Sequence, residues 1–128
     1  MNLALLTAAV LLAAVAVTGG VTKAFVPVEK LAAAKGGGWT GDVPVWFVRT
    51  LGVLELLAAA GLILPGATGV APVLVPVTAV CWAVLMTGAA VTHGRRPGEL
   101  PFAALNMGYL LLAVVLAWGR FGPEPFTG

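Results

Sequence analysis

A carboxyl group inside a long apolar run is the first feature of this sequence that could do chemistry. Glu55 stands in the run Val45–Leu64, whose only other charge is Arg49 near one end. Insertion scales put a central Asp, Lys or Arg in a membrane-spanning helix at about 2.5–3.5 kcal/mol. Intramembrane acids therefore face a bundle interior and find a partner there. Gly52 and Ala59 lie three and four residues away, on the same helical face. That small-residue face reads as a packing surface, so Glu55 is expected to point inwards, towards a donor from another helix. The candidates are Lys23, Arg49, His93, Asn106 or a trapped water. Arg49 precedes Glu55 by six residues, about 120° around a helix, which disfavours a direct pair along it. Glu55 is then either a structural carboxylate or a site that binds a ligand or moves a proton.

The other chemistry-bearing residues are few. His93 is the only histidine, so a bis-histidine haem site is excluded, and no Cys, His, Asp and Glu cluster has metal-ligand spacing. It reads as an interfacial side chain near Arg95 and Arg96. Arg49 is expected to snorkel towards the headgroups. Asn106, in the last apolar run, needs a partner for its amide. Cys81 is the only cysteine, which excludes an internal disulfide and a CxxC pair; it reads as an inert packing residue. Lys23, Arg49, His93 and Asn106 map to one half of the protein, with Glu55 deeper beneath them. A bundle closing around them holds a polar pocket open towards the basic side. No catalytic residue is assigned.

These residues need membrane-spanning elements to position them. Apolar residues make up 60% of the chain and charged residues 9%, against about 45–50% and 25% in soluble domains; the mean hydropathy is +1.04. A span needs about 20 mostly apolar residues, and four runs qualify: 3–22, 45–64, 73–91 and 102–118. The first has no basic leader segment and reads as an anchor rather than a secretory signal. A short interfacial helix fits within Ala24–Ala34, ended by Gly36-Gly37-Gly38. Pro65-Gly66 is expected to close the second span. The tail from Gly119 is expected outside the membrane. The fold class is all-α, an integral membrane four-helix bundle formed by a single domain over residues 1–128.

Trp39, Trp46, Trp118 and Phe121 fall near span ends, where an aromatic belt sits. Small residues four apart, Ala9 with Ala13, Ala16 with Gly20, Ala83 with Thr87 and Ala104 with Gly108, suit close helix approach. Lys23, Lys30, Lys35, Arg49, Arg95 and Arg96 lie on one side and Arg120 alone on the other. That asymmetry predicts a plasma-membrane protein with both termini extracytoplasmic. The net charge of +2 forms no basic patch interleaved with aromatics, so nucleic acid is not an expected partner. Membrane lipid, a membrane-protein partner or a second copy is.

Gly20-Val21-Thr22-Lys23, Gly52-Val53-Leu54-Glu55-Leu56, Gly61-Leu62-Ile63-Leu64-Pro65, Thr92-His93 and Gly119-Arg120 follow one another across the four spans. In this order the chain resembles the DoxX-like family of small bacterial membrane proteins over nearly its whole length. The resemblance implies a four-helix bundle in the bacterial inner membrane and an association with quinone-linked redox systems. It supplies no established catalytic residues, and this chain lacks the cysteine pair of the redox-active branches.

Two functional classes follow. The first is a non-catalytic accessory or partner protein with a polar pocket around Glu55. The second is an intramembrane enzyme or carrier for a small lipophilic molecule, with Glu55 as acid, base or hydrogen-bonding group and His93 or Arg49 assisting. A quinone or lipid is the candidate ligand. A complete ion pathway is disfavoured, because the half opposite the basic side offers no ionisable residue within a span.

Overall fold

The computed structural model describes residues 2–126. Met1, Thr127 and Gly128, which the single-domain reading included, lie outside the described residues. Four long helices, α1 (Asn2–Phe25), α3 (Val45–Thr68), α4 (Leu74–Gly94) and α5 (Leu100–Phe121), are each long and apolar enough to cross a membrane. A short helix, α2 (Val28–Ala33), and a 3-10 turn at Gly38–Asp42 lie between α1 and α3. No strand occurs among the described residues.

The sequence explains most boundaries, and the helices overrun the expected limits where proline was given too much weight. α1 continues past Thr22 to Phe25 and stops where Pro27 disfavours helical geometry in the residue before it. This extension takes Lys23 into the last turn, where the helix dipole favours a cation. α3 does not end at Pro65-Gly66. Proline there removes only one backbone donor, and the helix runs to Thr68. Gly69, left-handed at φ 74, caps it by donating its N–H to the Pro65 carbonyl at 3.0 Å. α5 starts at Leu100 with Pro101 in its first turn and runs to Phe121, so Gly119 and Arg120 are helical and not part of the tail.

The helices form an up-down-up-down bundle in which α1 packs most closely on α3 and α4 on α5. Contacts of α3 with α4 and of α1 with α5 close the ring. Gly20 and Gly52 let the backbones of the first pair come close together. A Cβ on Gly20 would lie 2.9 Å from the Gly52 carbonyl oxygen, and one on Gly52 would lie 2.9 Å from the Gly20 carbonyl oxygen. Ala9, Ala13 and Ala16 continue this seam as buried residues. Ala83 packs against the core, whereas Thr87, Ala104 and Gly108 are exposed, so neither of those spacings forms a complete seam within this chain. Leu5, Leu12, Leu62, Val75, Trp82 and Leu116 form the core. Most of it lies in the half of the bundle away from the basic residues.

Overpacking a well-filled interior costs roughly 1–3 kcal/mol. Gly52→Leu is therefore expected to lower the melting temperature in detergent, while Gly108→Leu, where an added Cβ meets nothing within 4 Å, leaves it nearly unchanged. Equal effects in the two variants would refute the α1–α3 seam.

Candidate functional site

Glu55 points into the bundle and is only 4% exposed. Its partner is Lys23, the candidate donor from the last turn of α1. The ammonium lies 2.9 Å from Oε2 and 3.2 Å from Oε1, within bonding reach of both. Both carboxylate oxygens are thus engaged by the one ammonium. The Lys23 side chain is 24% exposed and that of Glu55 6%, so the cation sits nearer the opening and the carboxylate at the base.

Arg49 does not snorkel. Its Nη1 donates to the carbonyls of Lys23, at 2.9 Å, and Val26, at 2.6 Å. The last carbonyls of a helix have no partner within it, and a guanidinium there also opposes the negative end of the dipole. Arg49 therefore fixes the end of α1, and with it the backbone that carries Lys23.

All four long helices line a groove of about 1310 Å³ between the α1/α3 pair and the α4/α5 pair. Lys23, Glu55, His93 and Asn106 are on its wall, with Trp82 and Tyr109; Arg49 is not. Asn106 is half-buried on α5. The groove opens in the half of the bundle that carries the basic residues. Thr18 and Thr22 also line it, but their hydroxyls donate to the carbonyls of Ala14 and Gly19 in their own helix.

A second polar cluster ties the two helix pairs together at the basic end. Arg96 donates from Nη1 to Asp42 Oδ2 at 2.6 Å and from Nε to Glu99 Oε2 at 3.1 Å. His93 Nδ1 lies 2.7 Å from Glu99 Oε1, and its ring stacks on Phe102 with centroids 5.5 Å apart. The hydrogen bond from His93, then the bond and charge of Arg96, hold the Glu99 carboxyl below the usual carboxylate range. Bonds to Asp42 and Glu99 raise the Arg96 guanidinium above its ordinary value.

Residues 7–116 match the DoxX-like family. The chain belongs to that family. No curated protein and no solved structure matches it. The matched range holds the whole groove and the cluster around Arg96, and it stops short of Arg120 and the tail.

Two expectations for this DoxX-like protein need correction. Cys81 is exposed on the outer face of α4 and is not a packing residue. A single cysteine carries no signal of which face it occupies. Arg120 is buried, at 4% exposure, in the last turn of α5, so an ionisable residue does lie within a span in the half away from the basic side. The Glu124 N–H donates to the Gly119 carbonyl at 2.8 Å, folding the tail back over the helix end. Arg120 Nη1 then donates to the Glu124 carbonyl at 2.9 Å, with the Phe126 ring 3.9 Å over the guanidinium. Sequence reasoning also passed over Trp82, Asp42, Arg96 and Glu99 as partners. The signal for the last was its place just before an apolar run, as the residue that precedes α5.

Removing one partner of a buried ion pair costs roughly 3–5 kcal/mol, whereas neutralising both is far milder. Lys23→Met is expected to lower the melting temperature sharply, and Lys23→Met combined with Glu55→Gln to recover most of the loss. A double variant no more stable than the single one contradicts the pair.

The contribution of Glu99 has a definite sign with pH. Its folded pKa is depressed below the ordinary 4.5, so its stabilisation is complete above that value and disappears as the pH falls through the depressed one. Glu99→Gln should be less stable than wild type at about pH 6, with the difference closing only as the pH falls below 4.5 and through the depressed folded value. A difference that persists unchanged in acid would show that the carboxylate is not its source.

Proposed function

We propose that this DoxX-like protein is a non-catalytic membrane component that holds a lipophilic small molecule in the groove, with a quinone as candidate, and serves a membrane redox partner. The carrying observation is the groove itself, largely apolar, of about 1310 Å³, with the Lys23–Glu55 pair at depth. Ordinary small-molecule pockets occupy roughly 300–1,000 Å³, so this volume suits a polar head with an apolar tail. The pair offers hydrogen-bonding groups without adding net charge to the membrane interior. Arg49 is engaged with backbone carbonyls and His93 with Glu99, which weighs against either assisting Glu55 in acid–base catalysis.

The proposed orientation places the basic end at the cytoplasmic face of a bacterial plasma membrane, with both termini outside. Six basic residues against one support it. The groove then opens towards the cytoplasmic leaflet, from which a lipophilic molecule would be loaded. An accessory role further requires a protein partner or a second copy, so crosslinking in native membranes should yield a discrete larger species; a monomer alone would remove that part of the reading.

Wild-type protein purified in mild detergent is expected to retain a lipophilic small molecule detectable by mass spectrometry. Gly88→Trp, on the groove wall where an added Cβ meets nothing within 4 Å, should lose it without a large change in melting temperature. Retention by both proteins, or by neither, would overturn the groove as the binding site.

A further inference from the structure

Lys23 holds hydrogen-bonding capacity that its ion pair does not use. An ammonium carries three N–H donors and no acceptor. Glu55 engages it through both carboxylate oxygens, at 2.9 and 3.2 Å, and no other acceptor bonds it among the described residues. At most two of the donors are directed to the carboxylate, which leaves one uncommitted. The Lys23 side chain also reaches the groove. Val15, Thr18, Gly19, Thr22 and Lys23 follow one another at helical spacing and all line it. The 24% exposure of the Lys23 side chain therefore opens onto the groove. Gly19, one turn below, leaves that side of the pair bare: a Cβ there would lie 3.2 Å from Nζ and 3.0 Å from Glu55 Oε1. Glu55 offers the groove much less, since its side chain is 6% exposed and both oxygens are taken. Thr18 and Thr22 direct their hydroxyl protons to carbonyls of their own helix. The capacity left at the pair is that of a donor, on a pair without net charge.

From this arrangement we infer that the groove selects neutral amphiphiles whose head carries a carbonyl group, and that Lys23 is the residue that recognises it. The carbonyl oxygen accepts the remaining N–H of the ammonium, and the apolar tail follows the wall formed by Ala14, Val15 and Leu85. A carboxylate or phosphate head would bring a second negative charge beside Glu55, and an ammonium head a second positive charge beside Lys23. Like charges a few ångströms apart repel strongly where water does not screen them, so a neutral head is favoured. A hydroxyl head would have a proton of its own to place, and Glu55 has no free oxygen to receive it. This inference rests on the groove being a binding site and adds the chemistry of the head and the residue that reads it.

The test uses the full chain in detergent and two matched probes, phenyl undecyl ketone and dodecylbenzene, which differ only by a carbonyl in place of a methylene. Isothermal titration calorimetry on wild type is expected to give binding at least about tenfold tighter for the ketone, the effect of one hydrogen bond to a charged donor. A dodecylbenzoate, the anionic probe, should bind more weakly than the ketone. In infrared spectra, the carbonyl stretch of isotope-labelled ketone should move to lower frequency on wild type than in micelles alone. Lys23→Met combined with Glu55→Met removes the pair while keeping the side-chain lengths. On that variant ketone and dodecylbenzene should bind alike, and the stretch should return to its micelle value. Gly88→Trp separates site binding from partition into micelles, because only site binding is lost. A ketone preference that survives the double variant, a stretch on wild type equal to that in micelles, or a benzoate that binds more tightly than the ketone would each overturn the inference. Equal affinity of ketone and dodecylbenzene for wild type, abolished by Gly88→Trp, would overturn it and leave groove binding standing. Absence of any binding sensitive to Gly88→Trp would overturn both.

Discussion

The ion pair between Lys23 and Glu55 is the contact around which the basic half of the bundle is arranged. It forms because α1 and α3 run antiparallel and meet at Gly20 and Gly52. Lys23 lies three residues towards the basic end from that contact and Glu55 three residues away from it, an axial gap of about 9 Å. The Cα–Cβ bonds of a helix tilt towards its own N-terminus. In this antiparallel pair the Lys23 side chain therefore leans down into the bundle while that of Glu55 leans up, and together they span the gap. Side chains on the two glycines would force the backbones apart and open it. Arg49 secures the arrangement from above, since its bonds to the Lys23 and Val26 carbonyls hold the last turn of α1 against the first turns of α3.

The same geometry divides the bundle into a packed half and an open half. Away from the basic end, Leu5, Leu12, Leu62, Trp82 and Leu116 bring all four helices together around an apolar core. Towards the basic end the two helix pairs separate, and the groove occupies the space between them. The pairs are rejoined at the surface through Arg96, which links Asp42 before α3 to Glu99 at the start of α5. The groove is thus held open between an apolar floor and a polar bridge. Neither end depends on a charged residue in contact with lipid.

Patterns local in sequence were legible, and contacts set by helix rotation were not. Four apolar runs, their lengths and the Gly52–Glu55–Ala59 face follow from periodicity and hydropathy, so the helix number, the bundle and the inward turn of Glu55 could be read directly. Lys23 was one of four candidate partners, because choosing among them requires the crossing point of α1 and α3. The capping role of Arg49 was hidden for the same reason, since its acceptors are carbonyls on another helix. Cys81 and Trp82 sit side by side in sequence, yet one is exposed and the other at the core; a helix hydrophobic all round does not reveal its buried face. Arg120 was misplaced because its burial depends on the tail folding back, which no helical pattern records.

Energetics favour a role for the Lys23–Glu55 pair beyond holding the fold. Well-packed apolar residues in place of a buried ion pair are often neutral or stabilising, by roughly 1–4 kcal/mol. Stability alone would also favour filling the groove, since voids lose packing contacts that a close-fitted interior keeps. This DoxX-like protein retains both the charges and the space. Lys23 engages both carboxylate oxygens, while the Trp82 indole N–H in the groove wall is buried without a partner. A purely structural interior gains nothing from an unsatisfied indole donor, which in a low-dielectric setting is itself destabilising. The same unsatisfied donor is an advantage in a site that must bind a polar head and release it, because the head supplies a missing hydrogen bond without first breaking one.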